Sequence, residues 1–168
     1  MADQQGVLAN LAALIDSVLP GARRYAPVVS HTGGFAIAVP GGGQVLVWSA
    51  PAKPWFLDFT AGIARDVSDL GAALSWVNEK NSSFNFGRFY ASIPADAAEC
   101  ANVVYKDSIF SGLLDQAPQV LTGFVQDVLK LSTEVARGEP QGFVQVVGGA
   151  PFADTDDDRN VLVAAAMG

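Results

Sequence analysis

The chain has few of the side chains that carry most enzyme chemistry. It contains one histidine, His31, and one cysteine, Cys100. A single cysteine excludes an intrachain disulfide, and nothing in the sequence brings this thiol next to the imidazole. Ser30 and His31 would point to opposite faces of a strand, so they cannot form a nucleophile–base pair. These shortages predict that the protein is not an enzyme.

Charged residues are also scarce, at 16% of the 168 residues, and the formal net charge is −7. An acidic surface repels a phosphate backbone on average, so nucleic acid is not an expected partner. No apolar run approaches the roughly 20 residues that span a bilayer, and the N-terminus has no positively charged leader. We therefore expect a cytoplasmic protein without a membrane partner.

Two segments begin like ligand sites but do not continue as one. The acidic run 154–158 starts like a calcium loop, yet Arg159 occupies the place of its turn glycine and Ala165 that of its bidentate glutamate. The glycines 41–43 precede a strand, whereas a phosphate loop precedes a helix. The sequence therefore predicts no metal and no cofactor, with a solvated acidic turn at 154–158.

What the chain does have is a regular apolar pattern over half of its residues, enough for one folded domain. Apolar residues at helical spacing predict a helix over 5–19 that ends at Pro20. Short alternating runs between glycine-rich and proline-rich turns predict strands. The further predicted elements are strands at 28–31, 35–39, 44–49, 55–60, 85–93 and 100–107, a helix at 68–80, and a long helix to 137 that is either kinked from 111 or begins near Pro118.

This order, α-β-β-β-β-α-β-β-α, predicts an α+β fold in which an antiparallel sheet carries helices packed on one side. Residues 1–138 are expected to form a single domain, and residues 139–168 a partly ordered C-terminal appendage. Several strands are apolar on both faces, whereas an antiparallel sheet usually solvates one face. The second face is thus expected to be covered by another polypeptide or by the chain itself.

The helix at 68–80 and the strand after it carry a family resemblance. The segment that includes Leu74, Trp76, Asn78 and Asn81 and continues into Phe-Gly-Arg-Phe-Tyr resembles the YbjN family. Members of that family are labelled bacterial sensory transduction regulators, and they are related in fold to the class I chaperones of type III secretion systems. The resemblance covers about residues 5–138.

The resemblance implies a type III secretion chaperone-like fold and a non-enzymatic homodimer that binds a segment of a client protein. It also implies that the motif residues serve the dimer or the fold. These residues are Trp76, Phe86, Gly87, Arg88, Phe89 and Tyr90.

Two functional interpretations stay open. In the first, a chaperone-like or regulatory domain shields an apolar segment of a client protein or peptide. In the alternative, a sensory domain binds a small ligand in a closed pocket that includes His31 or Asp58. The aromatic cluster is also compatible with a plain core. The side chains predicted to bind a peptide are Trp48, Trp55, Phe56, Phe59, Leu11 and Ile15.

Overall fold

A six-stranded antiparallel sheet organises the chain in the computed structural model. The structure describes residues 4–25, 34–38, 43–50, 52–53, 55–83, 87–96, 99–136 and 147–167. The elements are α1 (Gln4–Val18), β1 (Arg23–Tyr25), β2 (Phe35–Ala38), β3 (Gln44–Trp48), β4 (Phe56–Val67), α2 (Leu70–Ser83), β5 (Arg88–Ser92), β6 (Ala101–Phe110), α3 (Leu113–Gln116), α4 (Pro118–Ala136) and α5 (Asp156–Met167).

The strands lie in the order β1-β2-β3-β4-β6-β5 and all neighbours are antiparallel. This confirms the predicted α+β class. The predicted strand 28–31 lies outside the described residues, and the strand that pairs with β2 is Arg23–Tyr25. The predicted strand 55–60 continues to Val67, because Ala61, Ile63 and Ala64 are fully buried between layers that cover both faces of β4.

Three helices pack on one face of the sheet, which we call the first face. α1 contributes Leu8, Leu11 and Ile15, and α2 and α4 add further apolar side chains to the same core. Pro118 is the first residue of α4, where its missing N–H removes no helical hydrogen bond. The long helix is therefore not kinked at this proline; instead the short α3 precedes it.

The C-terminal helix α5 packs on the opposite, second face, so the chain itself covers part of that face, which is one of the two alternatives that the sequence left open. Leu162 and Val163 of α5 join Leu46 and Val104 of the sheet in a separate core. Phe152, just before α5, is only 1% exposed and also belongs to this core. A Cβ on Gly62 would lie 2.5 Å from its ring, so the glycine makes room for that ring.

Ion pairs fasten the start of α5 to the sheet. Arg65 of β4 pairs with Asp157 at 2.8 Å and with the buried Asp158, and its backbone forms a two-bond bridge with Ala150. Arg159 pairs with Asp154 at 2.7 Å. Residues 154–157 of the acidic run are exposed, as in the predicted solvated turn, whereas Asp158 is buried. The acidic run neutralises two arginines at the edge of the second core.

Candidate functional site

Helix α5 covers only part of the second face, and the remainder is an open groove. This second-face groove has a volume of about 670 Å³. Strands β3, β4, β6 and β5 form its floor, and the C-terminal turn of α5 borders it at Ala166. The side chains that line it include Trp48, Asp58, Thr60, Arg88, Tyr90, Lys106 and Ser108. Their even spacing along neighbouring strands places them on one face.

Lys106 and Asp58 give the groove floor one hydrogen-bond donor and one acceptor. Lys106 Nζ lies 3.4 Å from the carbonyl oxygen of Ala166 and 5.4 Å from the centroid of the Tyr90 ring. Burial lowers the pKa of the Lys106 ammonium, and the Asp58 carboxylate partly offsets this effect. The Asp58 carboxylate also accepts a hydrogen bond from the Ser108 hydroxyl. The floor can therefore pair with both acceptor and donor atoms of a ligand.

Exposed aromatic rings extend the groove at one end. Phe56 and Phe110 are directly opposite in the β4–β6 register and continue the rows that contain Asp58 and Ser108. Their rings meet edge to face, with centroids 6.4 Å apart. Trp55, Phe56 and Phe110 are 53%, 36% and 46% exposed. Large apolar groups that share one end of a groove are typical of a binding surface rather than of scattered surface residues.

The motif around Gly87 specifies the fold. The Phe89 ring packs on Trp76 and on Tyr105, with centroid distances of 5.1 Å for both pairs. Gly87 has a φ of +56°, and a Cβ there would lie 2.2 Å from the Tyr105 hydroxyl oxygen. Only glycine fits this combination of backbone angle and close approach.

Asn81, near the end of α2, covers the free edge of β5. Its side-chain amide donates to the carbonyl oxygen of Phe89 at 2.9 Å, and its carbonyl oxygen accepts from the Phe89 N–H at 2.8 Å. One amide thus satisfies both backbone groups of an edge residue, as a neighbouring strand would. Another chain cannot pair with this part of the edge unless Asn81 moves away.

The structure separates the six side chains that were predicted to bind a peptide. Trp48 lines the second-face groove, Phe56 is exposed at one end of it, and Trp55 is exposed just before β4. Leu11, Ile15 and Phe59 belong instead to the first core and are at most 1% exposed. These three side chains therefore present almost no surface to another polypeptide, although Phe59 also borders the floor of the groove.

The motif residues divide in the same way. Trp76 and Phe89 are buried in the first core, whereas Arg88 and Tyr90 line the groove and Phe86 lies outside the described residues. His31 also lies outside them. Sequence reasoning missed Lys106 and Phe110. The alternation along 101–110 already puts both residues on the face of Val104, but only the strand pairing reveals that this stretch of the face is uncovered.

Some kinds of site are not found in the described part of the chain. Its histidine, cysteine, aspartate and glutamate side chains form no group of three that could hold a metal ion. Among the helices described, none combines the length and the apolar character needed to cross a membrane. A second cavity, of about 220 Å³, lies between α1 and α3. It is smaller than the second-face groove of about 670 Å³.

A comparison with solved structures identifies a relative in fold. No protein-family model matches the chain, and no curated protein sequence matches it. Among solved structures the chain is similar to "YbjN, a putative transcription regulator from E. coli", with a TM-score of 0.54 and 13% sequence identity. The match covers 75% of this chain and 85% of that one. The fold is therefore YbjN-like, and at this identity the likeness shows the fold alone.

Proposed function

We propose that this chain is a non-enzymatic binding domain that receives a segment of another polypeptide in the second-face groove. The observation that carries the proposal is the uncovered half of the second face, where aromatic rings border a floor with a donor and an acceptor. A polypeptide offers both apolar side chains and backbone groups of either polarity, so it matches this mixture better than a purely apolar ligand does.

The YbjN-like fold supports a regulatory or binding role, because the similar protein is described as a transcription regulator and not as an enzyme. The first interpretation of the sequence is kept, with one change. The client segment is expected to lie beside α5 and to contact Trp48, Tyr90, Phe56 and Phe110, while Leu11, Ile15 and Phe59 remain in the core.

A display library of random twelve-residue peptides, selected on the immobilised full chain, tests this proposal. An enriched peptide is then titrated against Tyr90→Ser, which removes a ring that is 47% exposed in the groove. We expect roughly a tenfold loss of affinity, since exposed aromatic anchors commonly dominate binding. The matched control is Leu74→Ser on α2, 51% exposed and on the other side of the sheet. Equal losses in both variants, or no enriched peptide, would contradict the proposal.

A small anionic ligand is a second candidate, because the groove volume is in the range of small-molecule sites and Lys106 is half-buried in it. Native mass spectrometry of the gently purified protein checks this. A retained mass that is lost in Lys106→Met supports it, and a bare protein mass contradicts it.

Self-association stays a prediction, and we propose a homodimer that does not use the edge of β5. Asn81 already pairs with the backbone of Phe89 on that edge. The exposed rings of Trp55, Phe56 and Phe110 offer an alternative surface. Sedimentation equilibrium at high protein concentration is the measurement, and a monomer throughout would remove the dimer.

A further inference from the structure

Two basic side chains of neighbouring strands line the groove. Arg88 of β5 and Lys106 of β6 are directly opposite in the strand register, and both line the groove. Like charges at directly opposite positions of a sheet destabilise it. The chain has only ten basic residues against seventeen acidic ones, so placing two of them together is not a consequence of composition. A ligand anion that reaches both side chains would be attracted by both.

The charge of Lys106 is incompletely compensated. Within the described residues its ammonium makes no ion pair, and its one hydrogen-bond partner is the Ala166 carbonyl oxygen at 3.4 Å. The two carboxylates that line the groove have other donors: Asp58 accepts from the Ser108 hydroxyl, and Asp107 from the Tyr105 hydroxyl at 3.0 Å. Burial disfavours the charged form of a lysine unless an opposite charge lies nearby. A ligand carboxylate would supply the missing partner.

The distance between Lys106 and Phe110 along β6 sets the spacing of the two ligand side chains that contact them. Lys106 and Phe110 lie on the same face, four residues apart. At about 3.3 Å per residue of strand, they are separated by roughly 13 Å. An extended segment that reaches both therefore carries its acidic residue and its apolar residue four positions apart, with both side chains pointing to the sheet.

We propose that the groove selects an extended polypeptide segment with a glutamate or aspartate that docks between Arg88 and Lys106, and an apolar side chain four residues away that packs on Phe56 and Phe110. This inference rests on the proposed function and specifies its ligand. The acidic group supplies the charge complementarity that Lys106 lacks, and the aromatic end supplies the apolar contact.

The test uses the full chain and peptides enriched from the twelve-residue library, measured by fluorescence anisotropy. We expect the enriched peptides to share an acidic residue and an apolar residue four positions apart. Replacing that glutamate with glutamine should weaken binding to the wild type about tenfold, the usual size of a charge-assisted contact, but change binding to Lys106→Met by no more than about twofold. Lys130→Met, an exposed lysine on α4, is the matched control and should behave like the wild type.

Three outcomes would overturn the inference. Enriched peptides that lose affinity in Tyr90→Ser but need no acidic residue would leave the proposed function standing and remove this specificity. Free N-acetylglutamate amide that binds as tightly as the peptide would make the site one for small anions. A selection with no enriched peptide would remove both proposals.

A purely structural role for Lys106 predicts a different result. If the lysine only caps the C-terminal turn of α5, Lys106→Met should lower the midpoint temperature of unfolding. Replacing the peptide glutamate with glutamine should then weaken binding to this variant as much as binding to the wild type. The anion site predicts a midpoint that is unchanged or raised, because an incompletely compensated half-buried charge has been removed. Arg88→Gln, at an exposed position, provides a second variant that should reduce the glutamate preference if Lys106→Met does not fold.

Discussion

Replacing Asn81 tests how the free edge of β5 is stabilised. Asn81→Ala removes two hydrogen bonds, of 2.8 and 2.9 Å, between one side chain and the backbone of Phe89. Each such bond contributes a net of about 0.5–1.5 kcal/mol, so we expect a loss of about 1–3 kcal/mol of unfolding free energy. The free energy of unfolding of a small domain falls by about 2 kcal/mol per molar urea. The urea concentration at the midpoint of unfolding should therefore fall by about 0.5–1.5 M.

Asn81→Asp makes the prediction sharper. An aspartate carboxylate still accepts from the Phe89 N–H but cannot donate to the Phe89 carbonyl oxygen, which repels it. We expect Asn81→Asp to be less stable than Asn81→Ala at neutral pH. The folded state then favours the protonated carboxyl, so its pKa in the folded state is raised. The lost stability should therefore return as the pH falls to about 4 and below, where the carboxyl can donate again.

The assay is urea unfolding followed by circular dichroism. The matched control is Asn78→Ala, an exposed asparagine of the same helix. Both alanine variants share the same gain in helix propensity, so their difference isolates the contact with Phe89. If Asn81→Ala and Asn78→Ala differ by less than about 0.3 kcal/mol, the amide does not stabilise the edge and the argument fails.

Two further predictions concern the second core and a buried tyrosine. Phe152→Ala should lower the free energy of unfolding by about 3–5 kcal/mol, or make α5 accessible to limited proteolysis, because the Phe152 ring is 1% exposed and packs on Gly62. A variant that resists the protease fully and unfolds with unchanged free energy would contradict this packing. Burial and the Asp107 carboxylate raise the pKa of Tyr105, so its contribution to stability is complete at neutral pH and is lost as the pH rises above about 10, the ordinary tyrosine value. Unfolding measured between pH 9 and 11 should show a smaller loss in Tyr105→Phe, and an equal loss would refute this.

The periodic segments allowed most of the fold to be predicted. α1 and the central strands follow local apolar spacing, which is retained in the structure. It was harder to predict which side of α2 faces the core. Leu74, although apolar, is 51% exposed, whereas Trp76 is only 8% exposed. The Phe89 ring, which contacts Trp76 edge to face, decides which side of α2 is buried. Phe89 belongs to strand β5, so the local pattern of the helix gives no sign of this contact.

Long-range partners explain what the sequence did not reveal. The second half of β4 is rich in alanine and glycine, which are poor strand formers, and it is buried because Phe152 packs on Gly62. The ion pairs of Asp157 and Asp158 were not predicted because their partner Arg65 lies about 90 residues earlier in the chain. Neither contact leaves a local signal.

The candidate site was predictable only in part. Of the aromatic residues that were predicted to bind a peptide, Trp48 lines the groove, and Trp55 and Phe56 are exposed. The choice between exposed and core positions failed for Phe59, because adjacent residues of one strand point to opposite faces and the sequence does not say which face is open. Lys106 was overlooked because its significance comes from Arg88 opposite it and from the end of α5 beside it.

The central claim is that the uncovered half of the second face, and not the helical side of the molecule, receives a polypeptide. NMR chemical-shift mapping with a library-selected peptide tests this most directly. The account predicts the largest shifts at Trp48, Thr60, Tyr90 and Lys106, with little change along α1 and α4. Shifts concentrated on those two helices, with the groove signals unmoved, would contradict it.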